Sequence, residues 1–257
     1  MKIAIDCRFW GPKHTGLGRY TENLVRNLLK IDKRNEYLLL FNKKTRSNET
    51  MKQCSNATII PVNVSPYSIK EQIVLPRLLR KINPDLVHFP HFNTPIFSAF
   101  PFLITIHDLI KHYSKGVKTT TRTPWTYLFK YLGYRAVIRG SILKARKIIV
   151  PSKWVKKELL KHFPITEKKV VVIYEAAVKT PRSMVRQPAE LLRGGEKSKA
   201  ALKKYKIKKP YIIYTGNVYP HKNLRRLILT VKMLNSLTIN HQSSVINLVI
   251  VCARSVF

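Results

Sequence analysis

The chain has 257 residues, of which 45% are hydrophobic, and 48 Lys and Arg against 13 Asp and Glu give it a formal net charge of +35. Its three cysteines lie far apart in no pairing or metal-ligand spacing, which argues against a disulfide framework. There is no secretory signal pattern and no apolar run near the ~18 residues that span a bilayer. These features predict a cytoplasmic protein, with peripheral contact at the inner face of the cell membrane kept as an alternative.

The positive charge predicts an anionic partner, such as a nucleic acid, a lipid headgroup or a nucleotide diphosphate. The basic residues are spread along the whole chain and form no single arm or block. No RNP, zinc-finger or helix-turn-helix signature is present, so we expect no specific nucleic acid.

In chain order, short apolar segments alternate with segments of helical periodicity over residues 1–178. The strand-like segments are Lys2–Asp6, Tyr37–Asn42, Thr58–Val64, Asp85–Phe89, Phe102–His107, Lys147–Pro151 and Val170–Tyr174. The helical segments are Arg19–Leu29, Ile69–Ile82, Trp125–Leu143 and Lys153–His162. Near-continuously apolar strands separated by helices are typical of a parallel sheet covered on both faces. The sequence predicts the α/β class, with a doubly wound parallel sheet in this first domain.

The pattern changes after residue 178. Residues 179–210 contain few apolar residues but several prolines and glycines, which predicts a linker. A strand, YIIYTGN, a helix, Asn223–Leu234, and a strand, NLVIV, then indicate the start of a second Rossmann-like domain at residues 211–257. A doubly wound domain needs about 100 residues or more. We therefore expect this domain to be incomplete, with Ile213, Val249 and Val251 exposed.

The predicted loop before the first helix reads Gly-Pro-Lys-His-Thr-Gly-Leu-Gly-Arg-Tyr and ends at Tyr20. Gly16 and Gly18 would let the backbone approach a ligand, and the N-terminus of the following helix favours an anion. A dinucleotide fingerprint would need a third glycine where Thr21 stands, which disfavours a nicotinamide or flavin site. A tight strand-to-helix turn is the alternative interpretation.

Polar side chains lie at or just beyond the carboxyl ends of three predicted strands, and they are His88, His91, His107, Asp108 and Ser152. In an open parallel sheet the carboxyl ends of the strands form the ligand-binding edge. Nearby acidic residues are few and no H-x-x-x-H or C-x-x-C spacing occurs, so we expect no metal site. One of the three histidines is predicted to be catalytic or to contact a sugar, the other two to be structural. Ser152 is predicted to cap the helix that begins at Lys153.

A second group of candidate residues opens the second domain, in the segment from Gly216 to Asn223. Lys222 precedes a helix and follows a strand, which brings a positive charge and helix N–H groups to a strand's carboxyl end. That setting suits a diphosphate. A surface lysine beside a helix cap is the alternative.

Four segments, TGLGRY, FLITIHDL, KIIVPSKWVKKEL and YIIYTGNVYPHKNLRRLI, resemble family 4 glycosyltransferases of the GT-B fold, and bacterial mannosyltransferase-like enzymes of polysaccharide assembly are the nearest members. The resemblance runs from Met1 to about Val251. It implies two facing Rossmann-like domains with catalysis between them. It also implies transfer of a sugar, with retention and without a metal, from a GDP- or UDP-linked donor to a saccharide or lipid-linked acceptor. The nucleotide sugar is then a co-substrate, and no cofactor is expected.

Carried over by position, the resemblance implies that His107 contacts the transferred sugar at the reaction centre. Gly16 and Gly18 would approach the donor phosphates, and Lys222 would stabilise the charge on the departing diphosphate. Further substrate contacts are expected at Arg19, His91, Asp108 and Asn217. The absence of any D-x-D motif agrees with metal independence.

The sequence departs from the family in its acidic residues, because the family has two glutamates later in the second domain and this chain has no Asp or Glu after Glu196. We therefore expect part of the donor site to be missing and the chain to transfer sugar poorly or not at all. The alternative is a non-catalytic, polyanion-binding remnant of such an enzyme. Aromatic and basic residues interleaved over Lys111–Lys147 suggest contact with an anionic membrane, and an ordinary amphipathic helix is the other interpretation.

Overall fold

The computed structural model describes residues 1–11, 14–42, 56–96, 98–113, 124–176, 200, 202–216, 218, 222–239 and 245–252. The chain divides into two compact units. Unit 1 comprises Met1–Tyr113 and Pro124–Val178, and unit 2 comprises Ser114–Thr123 and Lys179–Phe257.

Unit 1 is built on a parallel sheet of seven strands. The strands are β1 (Lys2–Asp6), β2 (Glu36–Asn42), β3 (Ala57–Val62), β4 (Leu86–Phe89), β5 (Phe102–Thr105), β6 (Lys147–Val150) and β7 (Val170–Val172). Their order is β3-β2-β1-β4-β5-β6-β7, so the direction of strand addition reverses between β1 and β4. In sheets of this type, ligands bind at the carboxyl edge near such a reversal. The predicted α/β class and parallel sheet are confirmed.

Helices connect these strands. They are α1 (Thr15–Ile31), α2 (Glu71–Ile82), α3 (Ile110–Tyr113), α4 (Pro124–Lys144) and α5 (Lys153–His162), with a 3₁₀ turn at Glu167–Lys169. The side chain of Ser152 accepts a hydrogen bond from the backbone N–H of Val155 at 3.2 Å, which confirms Ser152 as the N-cap of α5.

Two hydrophobic clusters lie on the two faces of the sheet, and strand β2 contributes to both. Leu38 and Leu40 belong to the cluster that α2, α4 and α5 cover. Tyr37, Leu39 and Phe41 belong to the cluster that α1 covers through Val25 and Leu29. Successive side chains of a strand point to opposite faces, so a strand that is apolar from Tyr37 to Phe41 requires helices on both sides. The near-continuous apolar runs of the sequence have this cause.

The ends of several elements differ from the sequence prediction. Strand β3 stops at Val62 where the pattern extends to Val64, and β5 stops at Thr105 where it extends to His107. Helix α1 begins at Thr15, four residues before the predicted start at Arg19. The end of a strand depends on how far the neighbouring strands pair with it, and the periodicity of a single segment does not record that pairing.

Unit 2 contains the parallel pair β8 (Tyr211–Thr215) and β9 (Asn247–Val251) and the helix α6 (Leu224–Ile239). The predicted strand–helix–strand order is present. Ile213 and Val251 are 50% and 54% exposed, as predicted, whereas Val249 is half-buried. Much of the predicted linker, and the segment 253–257, lie outside the described residues.

Across the described residues of both units, no helix is both long enough and apolar enough to cross a membrane.

Candidate active site at the carboxyl edge of the sheet

His107 lies two residues beyond the end of β5, after the buried residues Ile104 and Ile106. Its side chain is 21% exposed. Its Nε2 lies 3.0 Å from the carbonyl oxygen of Pro90, and its Nδ1 lies 2.7 Å from Oε1 of Glu175. A carbonyl oxygen can only accept, so Nε2 donates to Pro90 and Nδ1 is the ring nitrogen that meets Glu175. The loops after β4 and β7 therefore fix the plane of the His107 ring.

Tyr20, in α1, packs its ring edge-on against His107 with ring centroids 4.6 Å apart. Its hydroxyl lies 3.1 Å from Oγ1 of Thr105, and Nε2 of His88 lies 3.0 Å from the same oxygen. Burial, and secondarily the nearby His107, lower the pKa of His88 to about 3. Burial raises the pKa of Tyr20. His88 is therefore a neutral, buried histidine near pH 7 that supports the His107 site from within the sheet.

A pocket of about 110 Å³ opens beside His107. It is lined by His91, Phe92, His107, Asp108 and Tyr134. The structure thus brings together three candidate residues, His91, His107 and Asp108, that the sequence placed after two different strands. Asp108 also accepts a hydrogen bond from the backbone N–H of Ile110 at 3.0 Å, at the start of α3.

Aromatic rings surround His91. Its ring centroid lies 4.0 Å from that of Phe92, 5.5 Å from that of Phe9 and 5.9 Å from that of Tyr67. The backbone N–H of Asn93 donates to Nδ1 of His91 at 3.3 Å, which assigns the ring hydrogen to Nε2 in the neutral form. An imidazole N–H and flat apolar rings in one pocket can bind both a hydroxyl and the apolar face of a sugar.

A buried ionic network lies beneath the reversal between β1 and β4. Nε and Nη2 of Arg8 donate to the two carboxylate oxygens of Asp6 at 2.8 and 2.7 Å, and Nη2 also donates to Glu71 in α2. The amide of Asn93 donates to both oxygens of Glu71 at 2.9 Å. Burial alone would lower the pKa of Arg8, but Asp6 and then Glu71 outweigh it and raise that pKa. Arg8 therefore stays charged.

Sequence reasoning missed this network. The one usable signal was Asp6 and Arg8, two opposite charges directly after a buried strand. Neither Glu71 nor Asn93 has a local pattern that connects it to them. The network joins the ends of β1 and β4 to the start of α2, and so holds the loop that carries His91.

The two glycines expected in the first loop lie instead in the first turn of α1. A Cβ atom at Gly18 would lie 1.9 Å from the carbonyl oxygen of Gly11 and 2.8 Å from that of Phe9. Close backbone packing of α1 on the loop after β1 therefore accounts for Gly18. Gly16 and Arg19 are exposed, and a Cβ at Gly16 would meet no atom within 4 Å.

Lys222 of unit 2 is exposed and stands two residues before α6 begins at Leu224. Between them, Asn223 has a positive φ of 56° and its carbonyl oxygen accepts from the backbone N–H of Arg226 at 3.1 Å. The predicted local arrangement, a lysine just before a helix, is present. Asn217 lies outside the described residues.

The described residues contain no group of three or more His, Cys, Asp or Glu side chains placed to hold a metal ion.

Several solved structures are similar to the chain at low sequence identity. A glycosyltransferase from Rickettsia africae ESF-5 is 13% identical with a TM-score of 0.40, over 97% of this chain and 68% of that protein. The wall teichoic acid polymerase TagF is 11% identical with a TM-score of 0.43, over 85% of this chain and 48% of TagF. The N-terminal domain of Candida albicans trehalose-6-phosphate phosphatase is 10% identical with a TM-score of 0.46, over 96% of this chain and 71% of that domain. The chain thus spans about half the length of TagF. No curated protein sequence matches it.

The family model described as Glycosyltransferase Family 4 matches residues 14–177. This range begins just before α1 and ends just beyond Glu175, so it contains every residue of the pocket around His107. It covers more than half of the 257 residues. Membership implies, in general terms, a sugar donor and an acceptor as substrates. The chain belongs to glycosyltransferase family 4, as its motifs predicted, and is a glycosyltransferase.

Proposed function

We propose that the chain serves the transfer of a sugar from a nucleotide-diphosphate donor to a saccharide or lipid-linked acceptor. The observation that carries this proposal is the pocket where His91, His107 and Asp108 meet at the carboxyl edge of β4 and β5. Its volume of about 110 Å³ is below the ~300–1,000 Å³ of pockets that enclose drug-sized ligands. It therefore suits one part of a substrate, such as a sugar ring, and not a whole nucleotide sugar.

His107 is the proposed catalytic residue. Its Nε2 donates to the backbone carbonyl oxygen of Pro90, which is fixed in the loop after β4. Its Nδ1 meets the side chain of Glu175, which is 48% exposed and can move away. A sugar hydroxyl can therefore replace the Glu175 carboxylate at Nδ1. A ring N–H aimed in this way at the reacting sugar stabilises charge that develops on an oxygen during transfer.

The donor side of the proposal rests on Lys222 and the start of α6. A lysine beside the N-terminus of a helix is suited to pair with a diphosphate and to stabilise the departing charge without a metal. On unit 1, Arg19 is exposed in the first turn of α1 and is proposed as a substrate contact, with Gly16 leaving room beside it. Asn217 completes the proposed donor contacts. A GDP- or UDP-linked donor, transfer of mannose and retention of configuration are part of the same proposal.

The test is a transfer assay on the purified 257-residue chain with a panel of labelled UDP- and GDP-sugars, together with sugar binding followed by saturation-transfer NMR. Relative to the weak transfer expected of the wild-type chain, His107→Ala should lower kcat by about 100-fold or more, with the Kd for the donor changed much less. Lys30→Ala, an exposed substitution in the last turn of α1, is the control and should leave both values unchanged.

Two results would contradict the proposal. One is a wild-type chain that shows neither transfer nor sugar binding. The other is an equal loss of turnover and donor binding in His107→Ala, which would make His107 a binding residue. Contact with an anionic membrane through 111–147 remains a prediction, because the side chains of 114–130 lie outside the described residues.

A further inference from the structure

A second pocket, of about 200 Å³, lies among α3, α4 and the end of α5. The residues that decide its character are His112, Arg135, Ile138, Arg139, His162 and Phe163. The apolar side of the pocket is made of buried side chains, since Ile138 is 1% exposed and Phe163 is 6% exposed. It shares no lining residue with the pocket around His107.

The charged residues of this pocket are all basic. Arg135 and Arg139 are four residues apart on α4 and so project from adjacent turns of one helix face. Within the described residues neither arginine forms an ion pair with a carboxylate. The carboxylate that approaches is Glu158, 3.7 Å from Nε2 of His162, and it does not line the pocket.

Two imidazoles line the same pocket. The rings of His112 and His162 lie 4.9 Å apart, and Nε2 of His162 lies 2.7 Å from the hydroxyl of Tyr113. Phe163 packs against His112 with ring centroids 5.6 Å apart. Packing and hydrogen bonding thus hold His112, His162 and Phe163 in place.

We propose that this pocket binds a phosphate group. The planar fork of a guanidinium group matches the spacing of two phosphate oxygens and can donate two parallel hydrogen bonds to them. A volume of about 200 Å³ is too small for a whole nucleotide, by comparison with the ~300–1,000 Å³ of pockets for drug-sized ligands. The ligand is therefore a compact anion, either free phosphate or the exposed phosphate of a lipid headgroup. This site is separate from the proposed transfer site and does not depend on it.

The first arm of the test measures the Kd of inorganic phosphate by calorimetry at a constant ionic strength of about 0.15 M. The pocket variant is Arg135→Gln with Arg139→Gln. Its matched control is Arg77→Gln with Arg80→Gln, two exposed arginines on α2 that give the same change in net charge. We expect binding to weaken tenfold or more in the pocket variant and by less than twofold in the control.

The second arm measures co-sedimentation with phosphatidylcholine vesicles that contain or lack phosphatidic acid. Loss of binding in the pocket variant alone supports the site in either arm, and the arm in which it occurs identifies the source of the phosphate. Equal weakening in the two variants would show attraction to the overall positive charge and would overturn the proposal. No saturable binding in either arm would overturn it too. All four arginines are exposed, so melting curves should show every variant folded.

Discussion

Position 18 has no room for a side chain, whereas position 16, in the same turn of α1, has open space around it. Gly18→Ala would place a methyl group against the carbonyl oxygens of Phe9 and Gly11, and both are backbone atoms. We expect it to lower the free energy of unfolding by about 2 kcal/mol or more. Gly16→Ala should instead raise it by about 0.5–1 kcal/mol, because alanine favours an exposed helix position. Urea denaturation measures the free energy of unfolding of both variants. A similar change in Gly18→Ala and Gly16→Ala would contradict the packing explanation.

His88 gives unit 1 a specific dependence on pH. Its pKa is lowered from an ordinary value of 6.5 to about 3, so between these values the unfolded chain binds a proton that the folded chain does not. The free energy of unfolding must then fall as pH falls through this window, by about 2–3 kcal/mol between pH 6.5 and 4.5. His88→Gln removes the titrating ring and keeps an amide to bond Thr105.

The measurement for His88 is urea denaturation of wild type and His88→Gln at pH 7 and pH 4.5. Other groups titrate equally in both proteins, so the difference between the two pH dependences isolates His88. The variant should lose less stability on acidification. If wild type and His88→Gln lose the same stability on acidification, His88 binds its proton equally well in the folded and the unfolded chain.

At the scale of elements, the network of Asp6, Arg8, Glu71 and Asn93 joins β1, α2 and the loop after β4. Arg8→Met leaves two carboxylates buried without their cation, and we expect a loss of about 3–5 kcal/mol in the free energy of unfolding. The control is Arg26→Met, which breaks the Arg26–Glu22 pair of 2.9 Å, whose side chains are 31% and 26% exposed. That change should cost less than about 1 kcal/mol. Urea denaturation measures both variants. Equal losses in Arg8→Met and Arg26→Met would show that burial of the network adds nothing to the free energy of unfolding.

At the scale of the whole molecule, the two units differ in how much apolar surface they bury. Unit 1 has hydrophobic clusters on both faces of its sheet. Among the described residues of unit 2, Val231 is the one buried hydrophobic side chain, and Leu229 and Met233 are 50% and 66% exposed. Because local stability follows buried apolar contacts, backbone amides of β8 and β9 should exchange with deuterium far faster than those of β1 and β4. Hydrogen-exchange mass spectrometry tests this, and equal protection would refute it.

Most of the architecture was predictable because its causes are local. Strands such as Lys2–Asp6 and helices such as Lys153–His162 were predicted with the bounds that the structure has. An apolar run, a helical period and a capping serine are each contained in a few neighbouring residues. The predicted start of α1 was wrong because glycines are typical of a loop. The close packing of Gly18 on the backbone of Gly11 explains why a glycine stands in the first turn of this helix.

The sequence by itself also placed His91, His107 and Asp108 at the carboxyl ends of two strands, which share one edge of a parallel sheet. Only the tertiary structure decided which partners hold them. Tyr20 bonds Thr105 across 85 residues, His107 bonds Glu175 across 68, and Arg8 bonds Glu71 across 63. A polar side chain carries no local record of a distant partner, because its hydrogen bonds are satisfied equally well by water until the sheet closes and burial excludes that water.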